Sequence, residues 1–461
     1  MITSPAFRGK RYAVLGLARS GLATVEALLA SGAEVTAWDS NAETFENFRS
    51  SRAKSRGVSL TRCQRPSTSL GTSEIVYADP LMIDLAGFDG IVVSPGVPLN
   101  THPIAARARE AGVPVLGDIE LFAQARASLP PHKVVGITGT NGKSTTTALV
   151  HHILQTAGVP TTMGGNIGLP ILAQDPLPQG GVYVLELSSY QIDLTFSLDC
   201  DFAVLLNITP DHLDRYESFQ DYANAKHRLF ELQTMAKIPV FIDDGEGGPV
   251  ASYFNTWPAL FEQREVRIGS GDLRSLNASI GPQANWPALQ GPHNLDNAAV
   301  AVAVARALGV ADEIARRALH TYPGLPHRMQ RIAERDGILF VNDSKATNTE
   351  STAPALAAYP DVHWIVGGRA KSDDLGPCAA QLGHVRAAYT IGESGPMFAR
   401  LLDGRVPVRQ SGVLDTAVRD AASAAKAGEV VLLSPACASF DQFKDYEQRG
   451  AAFRAAVEAL P

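Results

Sequence analysis

The sequence predicts an α/β fold of three successive domains, and three observations predict it. Short apolar runs alternate with helical stretches, the pattern of βαβ units on parallel sheets. The alternation restarts twice, near Lys133 and again beyond Tyr322. At about 150 residues per domain, a chain of 461 residues makes about three cores, each large enough to bury itself. The expected domains are 1–119, 120–324 and 325–461.

In the first domain, Tyr12–Leu15 reads as a strand and Ser20–Ala30 as a helix after a glycine turn. Val35–Trp38 is a strand ending at Asp39, and Gly90–Val93 is one closed by Ser94-Pro95-Gly96. The polar stretch 50–73 carries no readable motif, and a helix begins around Gly117–Phe122. The second domain has strands at Lys133–Ile137, Val182–Leu187 and Ala203–Asn207, and ends in an alanine-rich helix from Asn294. Tyr322-Pro323-Gly324-Leu325-Pro326 concentrates turn residues and reads as a hinge or linker. The third domain has strands at Ile338–Val341, His363–Val366, Ala388–Ile391 and Val430–Leu433.

Composition narrows the function. With 45% hydrophobic residues the chain is not disordered. Forty Lys+Arg against 47 Asp+Glu give a net charge of −7, which argues against a protein that grips nucleic acid or an anionic membrane. A local positive pocket for a phosphorylated substrate remains open. Cys63, Cys200, Cys378 and Cys437 show no paired spacing, which suits a reducing compartment and no structural zinc. Arg8, Lys10 and Arg11 precede an apolar stretch as in a signal peptide, but Arg19 interrupts it, so the stretch reads as the first strand. No segment reaches the roughly 18 apolar residues needed to span a bilayer. The expectation is a cytoplasmic protein.

The strongest motif is Gly136-Ile137-Thr138-Gly139-Thr140-Asn141-Gly142-Lys143-Ser144-Thr145, directly after a strand and opening a helix. In a phosphate loop, glycines let backbone N–H groups face phosphate oxygens, and the helix N-terminus adds favourable potential. Lys143 would reach the β- and γ-phosphates and Ser144 would ligate magnesium. The common form has a glycine where Ile137 stands. A second glycine loop, Gly16-Leu17-Ala18-Arg19-Ser20-Gly21, is followed by Asp39 at the next strand end. Ala18 replaces the central glycine of a dinucleotide fingerprint, which favours another nucleotide over a nicotinamide cofactor, or a plain tight turn.

Glu186 ends a neighbouring strand, where a magnesium ligand is needed, although a helix cap or surface charge would look the same. Asn207 to Arg215 is a polar cluster at a strand end, and Lys226 in the following helix reads, as a bare residue, as a solvated face. Asn342 to Asn348 and Ser434 to Ser439 place polar groups beyond strand ends in the ligand crevice of open sheets, although Asp343 or Asn348 could be ordinary helix caps. Cys437 reads as a small buried residue.

Taken in order, Gly139–Thr145, Glu186–Gln191, Asp211–Tyr216, His293-Asn294, Pro326-His327-Arg328 and Asp343-Ser344-Lys345 resemble the Mur ligase family. The missing glycine at Ile137 is similar to that family's own loop variant. Asn342–Asn348 (NDSKATN) and Ser434–Gly450 (SPACASFDQFKDYEQRG) resemble the branch that adds D-glutamate. The likeness is weakest over 50–73 and 243–290.

The resemblance implies a Rossmann-like first domain, a P-loop ATPase-like second domain and a Rossmann-like third. It implies ATP and two magnesium sites: Ser144 and Glu186 for one, with Lys143 on the same phosphates, and His212 with a carbamylated Lys226 for the other. Gly139, Thr140, Asn141, Gly142 and Thr145 would complete the phosphate loop, while Asn297, Arg328, Asp343 and Lys345 would grip adenosine and phosphates. Thr347, Lys371, Ser439 and Tyr446 would recognise D-glutamate. Ala18 and Arg19 would meet the pyrophosphate of UDP-N-acetylmuramoyl-L-alanine, Asp39 and Ser40 its uracil, and Asn166 the muramoyl diphosphate. The implied enzyme is a monomer with no nucleic-acid or membrane partner.

Overall fold

The computed structural model describes the chain apart from residues 47, 49–74, 212–214, 235–236, 243–247, 249, 251, 254–265, 270–278 and 461. The stretch 50–73, His212 and much of 243–290 therefore lie outside the described residues. The chain divides into two compact units, Met1–Gly269 and Ser270–Pro461.

The first unit holds two parallel sheets. One contains β1 (Arg11–Leu15), β2 (Glu34–Trp38), β3 (Ile75–Tyr77), β4 (Gly90–Val93) and β5 (Val115–Leu116), in the order β3-β2-β1-β4-β5. The other contains β6 (His132–Thr138), β7 (Thr161–Gly165), β8 (Gly181–Glu186), β9 (Phe202–Leu205), β10 (Ile238–Ile242) and β11 (Val266–Ile268), in the order β11-β10-β9-β6-β8-β7. The central strands β4, β8 and β9 are buried at every position, as expected of strands covered on both faces.

The second unit carries β12 (Gln330–Arg335), β13 (Ile338–Asn342), β14 (Val362–Gly367), β15 (Val385–Ile391), β16 (Val408–Gly412) and β17 (Val430–Leu433), ordered β12-β13-β17-β14-β15-β16. Only the β12–β13 pair is antiparallel among the described pairings of this sheet. The helices Pro292–Ala307 and Asp312–Thr321 belong to this unit by compactness.

Every strand expected from an apolar run is present. Those not expected are mostly edge or polar strands: β7 reads Thr-Thr-Met-Gly-Gly and β16 Val-Arg-Gln-Ser-Gly, neither with an apolar run. The strand polarity decides where function can sit. In each sheet the parallel strands deliver their following loops to one edge, the crevice position for ligands.

Candidate functional site

The phosphate loop is built as its residues require. Gly142, the helix N-cap, has φ 85°, a left-handed conformation that a side chain disfavours. The helix Lys143–Thr156 then points its N-terminus at the loop. Ile137 lies in β6 with no exposure, paired with Glu186 across β8. An apolar residue there is a strand residue and takes nothing from the cradle.

Two lysines converge on the loop. Lys143 Nζ donates to Gly139 O (2.9 Å) and Thr140 O (2.8 Å), and Lys226 Nζ donates to the same Gly139 O at 2.9 Å. Lys226 is 1% exposed, so the reading of a solvated helix face is corrected. Its helix, Phe219–Glu231, turns Tyr222, Ala223, Leu229 and Phe230 inward, and Lys226 shares that face. The ammonium sits 4.4 Å from the Tyr222 ring centroid. Burial, reinforced by the Lys143 charge, holds Lys226 well below the usual lysine range. Burial thus disfavours the charged form of an amine that stands beside the phosphate cradle.

Asn207, Thr140 and Tyr222 fix the loop from the side. Asn141 N donates to Asn207 Oδ1 at 2.9 Å and Asn207 Nδ2 returns a bond to Asn141 O at 3.1 Å. The Thr140 and Tyr222 hydroxyls share a hydrogen bond of 3.1 Å. Tyr222 was not singled out in the sequence, although its place four residues before Lys226 puts both on one helix face.

Glu186 is 2% exposed at the tip of β8. Its Oε1 accepts from Asn166 Nδ2 at 3.2 Å, and its Oε2 is buried with no hydrogen-bond partner among the described residues. A carboxylate oxygen left bare in a buried site fits a cation ligand and is costly otherwise. Ser144 is also buried, at the first turn of the phosphate-loop helix. Among the described residues no group of three His, Cys, Asp or Glu side chains forms a metal cluster; His212 lies outside them.

At the edge of the first sheet, Asp39 holds the glycine loop, accepting from Leu17 N (2.5 Å) and Asn41 N (2.8 Å). Ala18 and Ser40 are exposed beside it, and Ser94 Oγ donates to Gly16 O at 2.8 Å. The crevice lies between β1 and β4, where the chain order reverses. Arg19 Nη2 donates to Gly168 O at 3.0 Å, bringing the exposed Asn166 loop to the same place.

In the second unit, the loops after β13, β14 and β17 meet. Arg369 and Ala438 exchange backbone bonds of 2.9 and 3.0 Å, which brings the Lys371 and Ser439 segments together. Ser439 is buried, Thr347 half-buried and Lys371 exposed. Ser344 Oγ donates to Tyr446 O at 2.8 Å and Lys345 Nζ stands 5.1 Å from the Tyr446 ring centroid. Asp343 is not a cap: it accepts from Ser434 Oγ at 2.8 Å and Met329 N at 3.1 Å, and burial pushes its carboxyl up to about 7. Asn348 is the cap, accepting from Ser351 N at 2.8 Å. Asn297, 4% exposed on the helix Pro292–Ala307, donates to Asn294 Oδ1 at 3.2 Å, and Arg328 is half-buried after the strained His327 (φ 61°).

A further buried group escaped the sequence reading. Arg449, 1% exposed, donates through Nε to Ser344 Oγ (3.0 Å) and through Nη2 to Ser344 O (2.7 Å), clamping the loop that carries Asp343 and Lys345. Burial lowers it to about 10. Cys437 is buried, as expected, and burial pushes its thiol up to about 12.

Comparison with known proteins places these three sheet edges in one lineage. A relative from Novosphingobium aromaticivorans named UDP-N-acetylmuramoylalanine--D-glutamate ligase is 59% identical over 461 residues, covering 100% of this chain and 97% of its own. This chain belongs to the Mur ligase family. Residues 137–305 match the Mur ligase middle domain, and 327–437 match the domain described as Mur ligase, glutamate ligase domain. A relative of the same name from Zymomonas mobilis is 55% identical over 465 residues, with 100% of both chains covered. The solved MurF ligase from Thermotoga maritima in complex with ADP shares the fold of this Mur ligase, with a TM-score of 0.56, 16% identity and coverage of 98% and 95%.

Proposed function

We propose that this Mur ligase uses ATP to join D-glutamate to UDP-N-acetylmuramoyl-L-alanine, a step of peptidoglycan precursor synthesis. The observation that carries the reading is full-length identity of 59% to a relative of that name; the phosphate loop supports its ATP side. The proposed domains are 1–119 for the UDP acceptor, 120–324 for ATP and 325–461 for the amino acid.

Amide formation from a carboxylate needs a better leaving group than oxide. The L-alanyl carboxylate attacks the γ-phosphorus of ATP and ADP departs, giving an acyl phosphate. The D-glutamate amine adds to that carbonyl, loses a proton, and phosphate leaves. Magnesium at Ser144 and Glu186, and a second ion at His212 and carbamylated Lys226, would offset repulsion between two anionic reactants.

The chain's own residues do the rest. Lys143 exchanges its bonds to Gly139 O and Thr140 O for phosphate oxygens, while Gly139, Thr140, Asn141, Gly142 and Thr145 wrap the triphosphate. Burial favours the uncharged form of the Lys226 amine, the form able to take up CO₂ as a carbamate. Ala18, Arg19, Asp39, Ser40 and Asn166 seat the UDP acceptor. Asn297, Arg328, Asp343 and Lys345 hold adenosine and phosphates. Thr347, Lys371, Ser439 and Tyr446 select D-glutamate. The enzyme acts as a monomer in the cytoplasm, where ATP is supplied; no helix of the described residues is long and apolar enough to cross a membrane.

An acceptor screen tests the reading. ADP release with UDP-N-acetylmuramoyl-L-alanine should require D-glutamate. Equal or faster turnover with L-glutamate, L-lysine or a folate acceptor would defeat it.

A further inference from the structure

The geometry assigns Arg215 as a positioning residue that locks the loop following β4 to the phosphate-loop side of the molecule. It thereby sets where the UDP-linked acceptor sits.

The loop after β4, Ser94 to Val97, borders the crevice between β1 and β4 and is hydrogen-bonded to the glycine loop through Ser94 Oγ. Arg215 comes from the other sheet, ten residues beyond the end of β9. Its Nη2 donates to Gly96 O at 3.1 Å and its Nη1 to Val97 O at 3.3 Å. One planar guanidinium thus spans two successive carbonyls, a fork that lysine cannot reproduce.

What stands behind the guanidinium gives it leverage. Its carbon lies 4.9 Å from the Tyr190 ring centroid, a cation–π contact. Tyr190 stacks on Tyr216 at 5.9 Å and 14°, and Tyr216 meets Tyr222 at 5.5 Å. Tyr216 OH donates to Asp193 Oδ2 at 2.8 Å, which fixes the ring's rotation. Tyr222 in turn touches Thr140 of the phosphate loop and lies under Lys226. A continuous ladder therefore runs from the acceptor-side carbonyls through one arginine and three tyrosines to the phosphate cradle. Aromatic rings are stiff, with two χ angles each, so the ladder transmits position better than a chain of aliphatic contacts.

The loop borders the crevice that seats the acceptor, so a loop free to shift holds the acceptor less tightly, and the loss appears in its KM. The assignment rests on the proposed ligase reaction, and the experiment separates the two. Initial rates of ADP release are measured for full-length wild type, R215A and R215K, varying each of the three substrates in turn, with thermal unfolding alongside. R215A should raise KM for UDP-N-acetylmuramoyl-L-alanine by about tenfold, the weight of a lost charged fork, while KM for ATP and D-glutamate moves by less than about twofold. R215K, keeping the charge over Tyr190, should recover part of the loss.

An unchanged acceptor KM in R215A overturns the assignment. So does a rise in all three KM values with a fall in Tm and no recovery in R215K, the mark of a merely structural residue. If R215A does not fold, R215K decides alone: a shift confined to the acceptor supports the role and its absence ends it. Wild type that releases no ADP with these substrates would instead defeat the proposed function.

Discussion

Replacing Asp343 by asparagine should remove a pH-dependent cost that wild type carries. Asp343 is buried, 7% exposed, between the loops after β13 and β17. Burial raises its carboxyl from 3.8 to about 7, with Ser434, Met329 N and the Arg328 charge opposing. Because the folded-state value lies above the unfolded one, the carboxyl's contribution is intact below about pH 4 and drains away as pH climbs toward 7. At about 1.4 kcal/mol per unit, stability should fall by roughly 2.5 kcal/mol between about pH 5 and pH 8. Asparagine can accept from Met329 N and donate to Ser434 Oγ, so D343N should keep the geometry without the titration. Urea unfolding of both proteins, followed by hydrogen exchange in peptides from β13 and β17, gives the difference. A wild-type curve that parallels D343N from pH 5 to pH 8 would refute the argument that burial holds this acid protonated.

Three further outcomes follow from contacts described above or adjacent to them. G165A puts a Cβ 2.2 Å from Glu186 O at a backbone φ of +87°; it should displace Glu186 and lower kcat by about a hundredfold, as misplacement near the chemistry does, and wild-type kcat would count against Glu186 as a magnesium ligand. K226M should abolish turnover while the protein stays folded, since an apolar chain of similar length replaces a lysine whose charged form burial already disfavours; activity within about twofold of wild type would remove Lys226 from the mechanism. E120A strips the acceptor from Phe196 N (2.7 Å), Ser197 N (2.9 Å) and Ser197 Oγ (2.8 Å). It should destabilise the first unit by about 3 kcal/mol, read as a lower urea midpoint, and an unchanged midpoint would show that water replaces the carboxylate.

Legibility followed the range of the physics. The phosphate loop was readable because strand, glycines, Lys-Ser and helix are contiguous, and the central strands because burial on both faces leaves unbroken apolar runs. β7 and β16 were not, because edge strands tolerate glycine and polar residues. The bare-residue reading of Lys226 as a solvated face failed for a definable reason: a lysine reads as solvated unless its helix face is traced, and Tyr222, Leu229 and Phe230 mark that face as the buried one. Arg449 and Glu120 could not be found at all from spacing, since their partners Ser344 and Ser197 lie 105 and 77 residues away in the chain. The roles implied for Asp343, Ser439 and Tyr446 came from likeness; the structure adds that their loops share one sheet edge.

Arg449 has a bearing on protein engineering. Were the strands alone a common chassis, transplanting amino-acid preference between ligases of this family would need only the loops at the sheet edge. Yet the loop carrying Asp343 and Lys345 is anchored from below by a side chain on the helix Tyr446–Glu458. A chimera that swapped the loop and kept a foreign helix would inherit a guanidinium with no counterpart, or a loop with no anchor. The exchangeable cassette is therefore discontinuous, and its smallest version pairs residues 343–348 with the helix that holds them.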